Sequence, residues 1–221
     1  MCCRYTLTDL EALRALVEAA GLGVDVDLDE LPARYNVALT QRVPAITRRA
    51  KPALEVLRFG LLLPGRTPAE KPALLPNARA ETLLAKPAFR DAAQHRRCLV
   101  PADGFYEWEK AGKARLPHYF ALKDRRPFFF AGLWEPETET TPASFAIVTT
   151  APNALLGAIH DRMPVILGPN SGPAWLGDEP LPPARLARLC RPLPVAMMTS
   201  HRVDPRVNNV RYEAPDCLAA V

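Results

Sequence analysis

"RCLVPADGFYEW", residues Arg97–Trp108, decides the fold class. An apolar run meets Pro, Asp and Gly and is followed at once by alternating aromatic and polar residues, the pattern of a strand, a tight turn and a second strand. Its neighbours read alike. "VPAITR" (43–48), "LEVLRFGLLL" (54–63), "PHYFALK" (117–123), "RPFFFAGLWE" (126–135) and "SFAIVTTA" (144–151) are short apolar or aromatic runs set off by Pro, Gly or charged turns. Most of the chain is therefore expected to be sheet.

Helical spacing returns in fewer places. In "LTDLEALRALVEAAGLG" (7–23), Thr8 and Glu11 form a capping box, Leu10, Leu13, Leu16 and Val17 share a face, and Gly21 and Gly23 are stop signals. "ETLLAKPAFRDAAQ" (81–94), "APNALLGAI" (151–159) and "PPARLARLC" (182–190) are shorter and opened or interrupted by Pro. "PGRTPAEKPALLP" (64–76) reads as a Pro-rich loop. The expectation is an α+β fold, a single domain over residues 1–221 with a curved antiparallel, barrel-like β core and flanking short helices.

The 221 residues, 48% hydrophobic, are enough to bury a core without staples. The net charge of +4 is mild, but the cations are 22 Arg against six Lys. Arg offers a planar fork suited to phosphate, and a GC-rich coding bias explains the same excess. Five cysteines with no CxxC pair suggest neither a zinc site nor a disulfide framework, so no metal and no cofactor are expected. No apolar run reaches the roughly 20 residues of a membrane span, and no leader pattern opens the chain. A cytoplasmic, soluble protein is expected.

The chain begins "MCCRYTLT" (1–8). Methionine removal before a small residue leaves Cys2 at the N-terminus, with an α-amine of pKa about 7.7–8.0, far more nucleophilic at neutral pH than a lysine. Amine and thiol together close an aldehyde first into a Schiff base and then into a five-membered thiazolidine. The alternative is a pair of incidental cysteines at the start of a strand. Three further polar groups stand out. "LLPNARAET" (74–82) puts Asn77 and Arg79 on one face of an extended segment. Glu107 sits between Tyr106 and Trp108, where desolvation raises a carboxyl toward a usable proton donor, unless it is an edge-strand surface residue. His160 follows a short apolar helix, where a histidine also serves as a plain cap.

Taken in order, "MCCRYTLT", "ARYNVALTQRVPAITR", "PNARAETLLAKPAFRDAAQHRRCLVPADGFYEWEK", "PHYFALKDRRPFFFAGLWE" and "FAIVTTAPNALLGAIHDRMPVIL" resemble the signature blocks of the SRAP family, the SOS-response-associated peptidases or abasic-site-processing proteins. The resemblance runs over nearly the whole chain. It implies a barrel-like α+β domain, acting as a monomer, whose basic cleft binds single-stranded DNA containing abasic sites. Cys2 matches the residue that couples to the ring-opened sugar as a thiazolidine, shielding the lesion during the DNA damage response. By the same resemblance Asn77 orients the reacting centre, Glu107 moves the proton of the sugar ring oxygen, and His160 stabilises the Schiff base and assists reversal. Arg4 and Arg79 grip phosphates, and Tyr5, Asn36 and Arg162 complete the DNA-binding set.

Departures from the family pattern carry expectations too. Cys3 stands where the family has Gly, so a second thiol must fit beside the DNA sugar. "FGLLLPGR" (59–66) has Phe59 for the first Trp of a family block and lacks the second, which predicts altered stacking on a base. Two other classes stay open: an N-terminal-nucleophile cysteine peptidase built on Cys2, Glu107 and His160, with Met1 as a self-removed substrate, and a non-covalent single-strand-binding module.

Overall fold

The computed structural model describes residues 2–27, 31–63 and 72–221. In chain order the elements are β1 (Arg4–Leu7), α1 (Leu10–Ala19), β2 (Arg34–Ala38), β3 (Arg42–Arg48), β4 (Pro52–Phe59), β5 (Leu61–Leu63), β6 (Ala73–Leu75), β7 (Asn77–Arg79), α2 (Pro87–His95) and β8 (Arg97–Ala102). There follow β9 (Gly104–Ala111), β10 (Ala114–Leu122), β11 (Phe128–Glu135), β12 (Ser144–Thr150), α3 (Ala154–Gly157), β13 (Met163–Pro164), β14 (Ile166–Leu167), α4 (Gly172–Leu176), α5 (Pro183–Leu189) and β15 (Met198–Arg202). The fold is α+β.

One sheet closes on itself. β12, β4, β3, β8 and β11 pair in that order, and β11 returns to β12. The expected antiparallel order holds around this ring except at β12–β4, which is parallel, as is β7 where it joins β12. Neither pair is joined by a hairpin, so no tight turn dictates its direction. The second sheet, β15-β10-β9-β1-β2, leaves the ring at Asp103, between β8 and β9.

Continuous apolar runs arise because the ring is buried on both faces. Along β11, Phe128 and Phe130 enter a core shared with Tyr5, Phe105 and Phe120 of the second sheet, while Phe129, Ala131 and Leu133 enter another under the helices. Phe59 belongs to the first of these cores, stacked on Phe145 with centroids 5.2 Å apart and planes 6° from parallel. It is fully buried, so its replacement of the family Trp adjusts packing and presents no ring to a base.

Two local expectations shift. Asp9, not Thr8, caps α1, accepting the Ala12 N–H at 2.9 Å, because Thr8 is drawn elsewhere: its N–H and hydroxyl donate to Asp103 Oδ2 at 2.5 and 2.7 Å. Thr6 donates to Oδ1 of the same buried carboxylate at 2.5 Å, so Asp103 locks the β8–β9 corner to the β1–α1 corner. The "LEVLRFGLLL" run divides at Gly60, whose φ of +101° lies outside what side-chain residues readily adopt. Of the Pro-rich loop, residues 64–71 lie outside the described residues, and Ala73–Leu75 is a strand paired with β5.

Candidate active site

β1 pairs with β9 through Tyr5↔Phe105 and Thr6↔Gly104, and continuing that register sets Cys3 beside Glu107. β7, held parallel to β12 by Asn77↔Ile147, brings Asn77 to the same place. Its Nδ2 donates to the Cys2 carbonyl at 3.0 Å and to Ile147 O at 3.4 Å, and its Oδ1 lies 3.8 Å from Cys3 Sγ. Cys2 is 1% exposed, with Sγ 4.0 Å from Arg4 O. Burial, with Glu107 nearby, pushes its thiol well above the ordinary range.

Glu107 is 2% exposed on a strand flanked by β1 and β10, which excludes the edge-strand reading. Burial pushes its carboxyl up to about 7. His160 lies three residues beyond α3 rather than on it, and its Nδ1 accepts the Arg162 backbone N–H at 3.0 Å. In the neutral ring the proton is thereby assigned to Nε2. The exposed Asp161 carboxylate, 3.0 Å from the same Nδ1, favours the charged ring, but partial burial outweighs it and pulls the pKa below its ordinary value. Cys3, Arg4, Glu107, Trp108 and His160 line an open cleft of about 1000 Å³, together with Glu109, Lys110, Arg115, Asp161 and Asn208.

The expected DNA-binding residues separate into different environments. Arg79 is exposed and makes no ion pair among the described residues. Arg4 reaches the cleft, yet its Nη1 donates to Asn36 Oδ1 at 2.7 Å and Val207 O at 2.8 Å, and its guanidinium lies 5.5 Å from the Trp108 ring. Asn36 is fully buried, its Nδ2 donating to the carbonyls of Val207, Asn209 and Tyr212, so it reaches the cleft only through Arg4. Tyr5 is a core residue edge-on to Phe59 and Phe130. Arg162 forms a bidentate pair with Glu81, at 2.9 and 2.8 Å, and donates to Thr149 O at 2.6 Å. None of Tyr5, Asn36 and Arg162 lines the cleft.

Residues 1–210 match the family described as SOS response associated peptidase (SRAP). The chain belongs to the SRAP family. It is 34% identical over 223 residues to the abasic site processing protein YoqW of Bacillus subtilis, covering 99% of each chain. It is 28% identical to the abasic site processing protein YedK of Escherichia coli, with all of each chain covered. The abasic site processing protein HMCES of Xenopus tropicalis is 28% identical over 89% of this chain and 69% of its own. A crystal structure of a protein from Bacteroides thetaiotaomicron superposes over the whole of both chains with a TM-score of 0.81 at 26% identity.

Several lining residues of this SRAP cleft escaped the sequence reading: Trp108, whose Nε1 donates to Asn208 Oδ1 at 2.6 Å, and the cations Lys110 and Arg115. Trp108 and Lys110 alternate onto the face of β9 opposite Glu107, so strand periodicity gave no signal for them. Asn208, a hundred residues away, gave none.

Proposed function

We propose that this chain processes abasic sites by trapping them, with Cys2 as the nucleophile once Met1 is gone. The observation that carries the reading is the Asn77 amide on the Cys2 carbonyl at 3.0 Å, beside a buried carboxyl with a pKa of about 7. Cys3, Glu107 and His160 line one cleft, and the Asn77 amide adjoins it through the Cys2 carbonyl and the Cys3 thiol.

The chemistry follows from these groups. The Cys2 amine attacks the aldehyde carbon of the ring-opened sugar, forming the C–N bond while the carbonyl oxygen takes up a proton. Loss of that oxygen as water, with a proton from Glu107, leaves an imine. Cys2 Sγ then adds to the imine carbon, and the thiol proton ends on nitrogen, so amine, thiol and aldehyde become thiazolidine and water. A carboxyl poised near 7 serves both directions at neutral pH, giving the proton for water loss and accepting one from a thiol that burial keeps protonated. Neutral His160 offers a proton-bearing Nε2 for the imine stage and for reversal. Exposed Arg79 favours an anionic, single-stranded DNA ligand, while in the cleft Arg4, Lys110 and Arg115 stand beside the carboxyls of Glu107, Glu109 and Asp161.

The peptidase reading calls for a thiolate at neutral pH, which burial of Cys2 opposes. Incubation with an oligonucleotide carrying one abasic site, read on a denaturing gel, separates the possibilities. A denaturation-resistant adduct supports the trap. Cleavage of an unrelated protein favours the peptidase, and salt-sensitive binding with no adduct favours the binding module.

A further inference from the structure

We propose that a second pocket, apart from the cleft, binds a phosphate oxyanion. It measures about 190 Å³ and is lined by Arg48, Arg49, His95, Arg97 and Asp178 with the backbone at Gly177. Arg97 is 3% exposed, and its guanidinium is surrounded by carbonyl oxygens. Nε donates to Trp175 O at 2.6 Å, Nη1 to Ala93 O at 2.9 Å and Gln94 O at 2.6 Å, and Nη2 to Gly177 O and to Glu179 O at 2.8 Å. These bonds satisfy its donors but not its charge. Among the described residues no carboxylate lies within ion-pair distance of it, and burial pulls its pKa down to about 10.

Arg48, at the end of β3, is a second cation without an ion pair among the described residues, and its buried Nε has no hydrogen-bond partner there. Arg49 is engaged by Glu55 at 3.2 Å and by the Trp134 ring, and exposed His95 completes the rim. Asp178 is the acidic group in the lining. It is exposed and makes no ion pair with these cations among the described residues. The result is a small polar hollow in which three arginines and a histidine face one acidic side chain, a fit for a tetrahedral oxyanion.

Strand register relates the pocket to the cleft. Cys98, next to Arg97, is opposite Gly132, Gly132 opposite Ile147, and Ile147 opposite Asn77. Three strand spacings, roughly 15 Å around the ring, separate Cys98 from Asn77. A backbone phosphate of a nucleic acid held in the cleft and a free phosphate are the two sources of this chemistry. The DNA source rests on the function proposed above; the pocket itself does not.

The test is an NMR titration of the isotopically labelled protein with inorganic phosphate at constant ionic strength, following the Arg48 side-chain N–H and the His95 ring. Saturable shifts in wild type that chloride does not reproduce, weakened at least tenfold in Arg48→Ala, are expected. Oligonucleotides without an abasic site then identify the source. If the backbone occupies the pocket, Arg48→Ala lowers the salt dependence of binding by about one counterion only above a threshold length. A saturable phosphate site with no such length effect assigns the pocket to free phosphate. Wild-type protein in which neither phosphate nor oligonucleotide shifts these signals, or in which chloride shifts them equally, overturns the proposal whether or not the variant folds.

Discussion

Asn77 holds the carbonyl of Cys2 at 3.0 Å across 75 residues of sequence. The short strand that starts at Asn77 thereby fixes an N-terminus that would otherwise fray. Asn77→Ala is expected to slow adduct formation by about 10²-fold, the usual cost of a misplaced reacting group, with a much smaller change in DNA affinity. Single-turnover kinetics at saturating oligonucleotide check this; an unchanged rate would reduce the amide to a strand-start cap.

Glu107 predicts a pH signature. Its folded pKa of about 7 lies above the ordinary 4.5, so the folded chain binds more protons than the unfolded one between those values. The contribution of Glu107 to stability should be fully present below about 4.5 and fall by about 3 kcal/mol as the pH rises to about 7. Glu107→Gln should flatten that segment of the stability curve while slowing crosslinking by about 10²–10⁴-fold. Denaturant titrations at pH 5 and pH 8 measure the first effect, and gel kinetics the second. Normal crosslinking per folded Glu107→Gln molecule would assign the proton to water or His160.

Arg79 and Arg162 should behave oppositely. Arg79→Ala removes an exposed cation and should lower the salt slope of oligonucleotide binding by about one, at little cost in stability. Arg162→Ala breaks the bidentate pair to Glu81 and the bond to Thr149 O, so it should lower the melting temperature and barely move the slope. Equal salt slopes for wild type and Arg79→Ala would make Arg79 a bystander.

Gly104 is indispensable for space. A Cβ there would sit 2.0 Å from the Tyr119 hydroxyl, which lies 3.2 Å from Thr6 Oγ1. Gly104→Ala should cost about 1–3 kcal/mol or more by overpacking. Chemical denaturation measures it, and a variant as stable as wild type would mean that Tyr119 swings clear.

The strands and the α+β class were legible because a ring buried on both faces requires unbroken apolar runs, and those runs are plain in the sequence. The burial of Glu107 was legible as well, through its aromatic neighbours. Closure through a parallel β12–β4 pair was not, since nothing local encodes the direction of strands that no hairpin joins. Asn36 and Arg162 were given to DNA although their hydrogen-bonding groups are spent on Val207, Asn209, Tyr212, Glu81 and Thr149. Polar residues look alike in sequence whether they face a ligand or hydrogen-bond within the fold. The Arg97 pocket was hidden for the same reason: its carbonyl partners are backbone, which no side-chain pattern reveals.

The most direct measurement is intact-mass analysis of the product formed with a single-abasic-site oligonucleotide, for wild type and for Cys2→Ala and Cys2→Ser. The account predicts a wild-type adduct of the chain beginning at Cys2 plus oligonucleotide less one water, stable without reduction. Cys2→Ser should give at most an adduct that persists only after borohydride, and Cys2→Ala no spontaneous stable adduct. A stable adduct at full yield from Cys2→Ala, or one attached to a chain that still carries Met1, would contradict it.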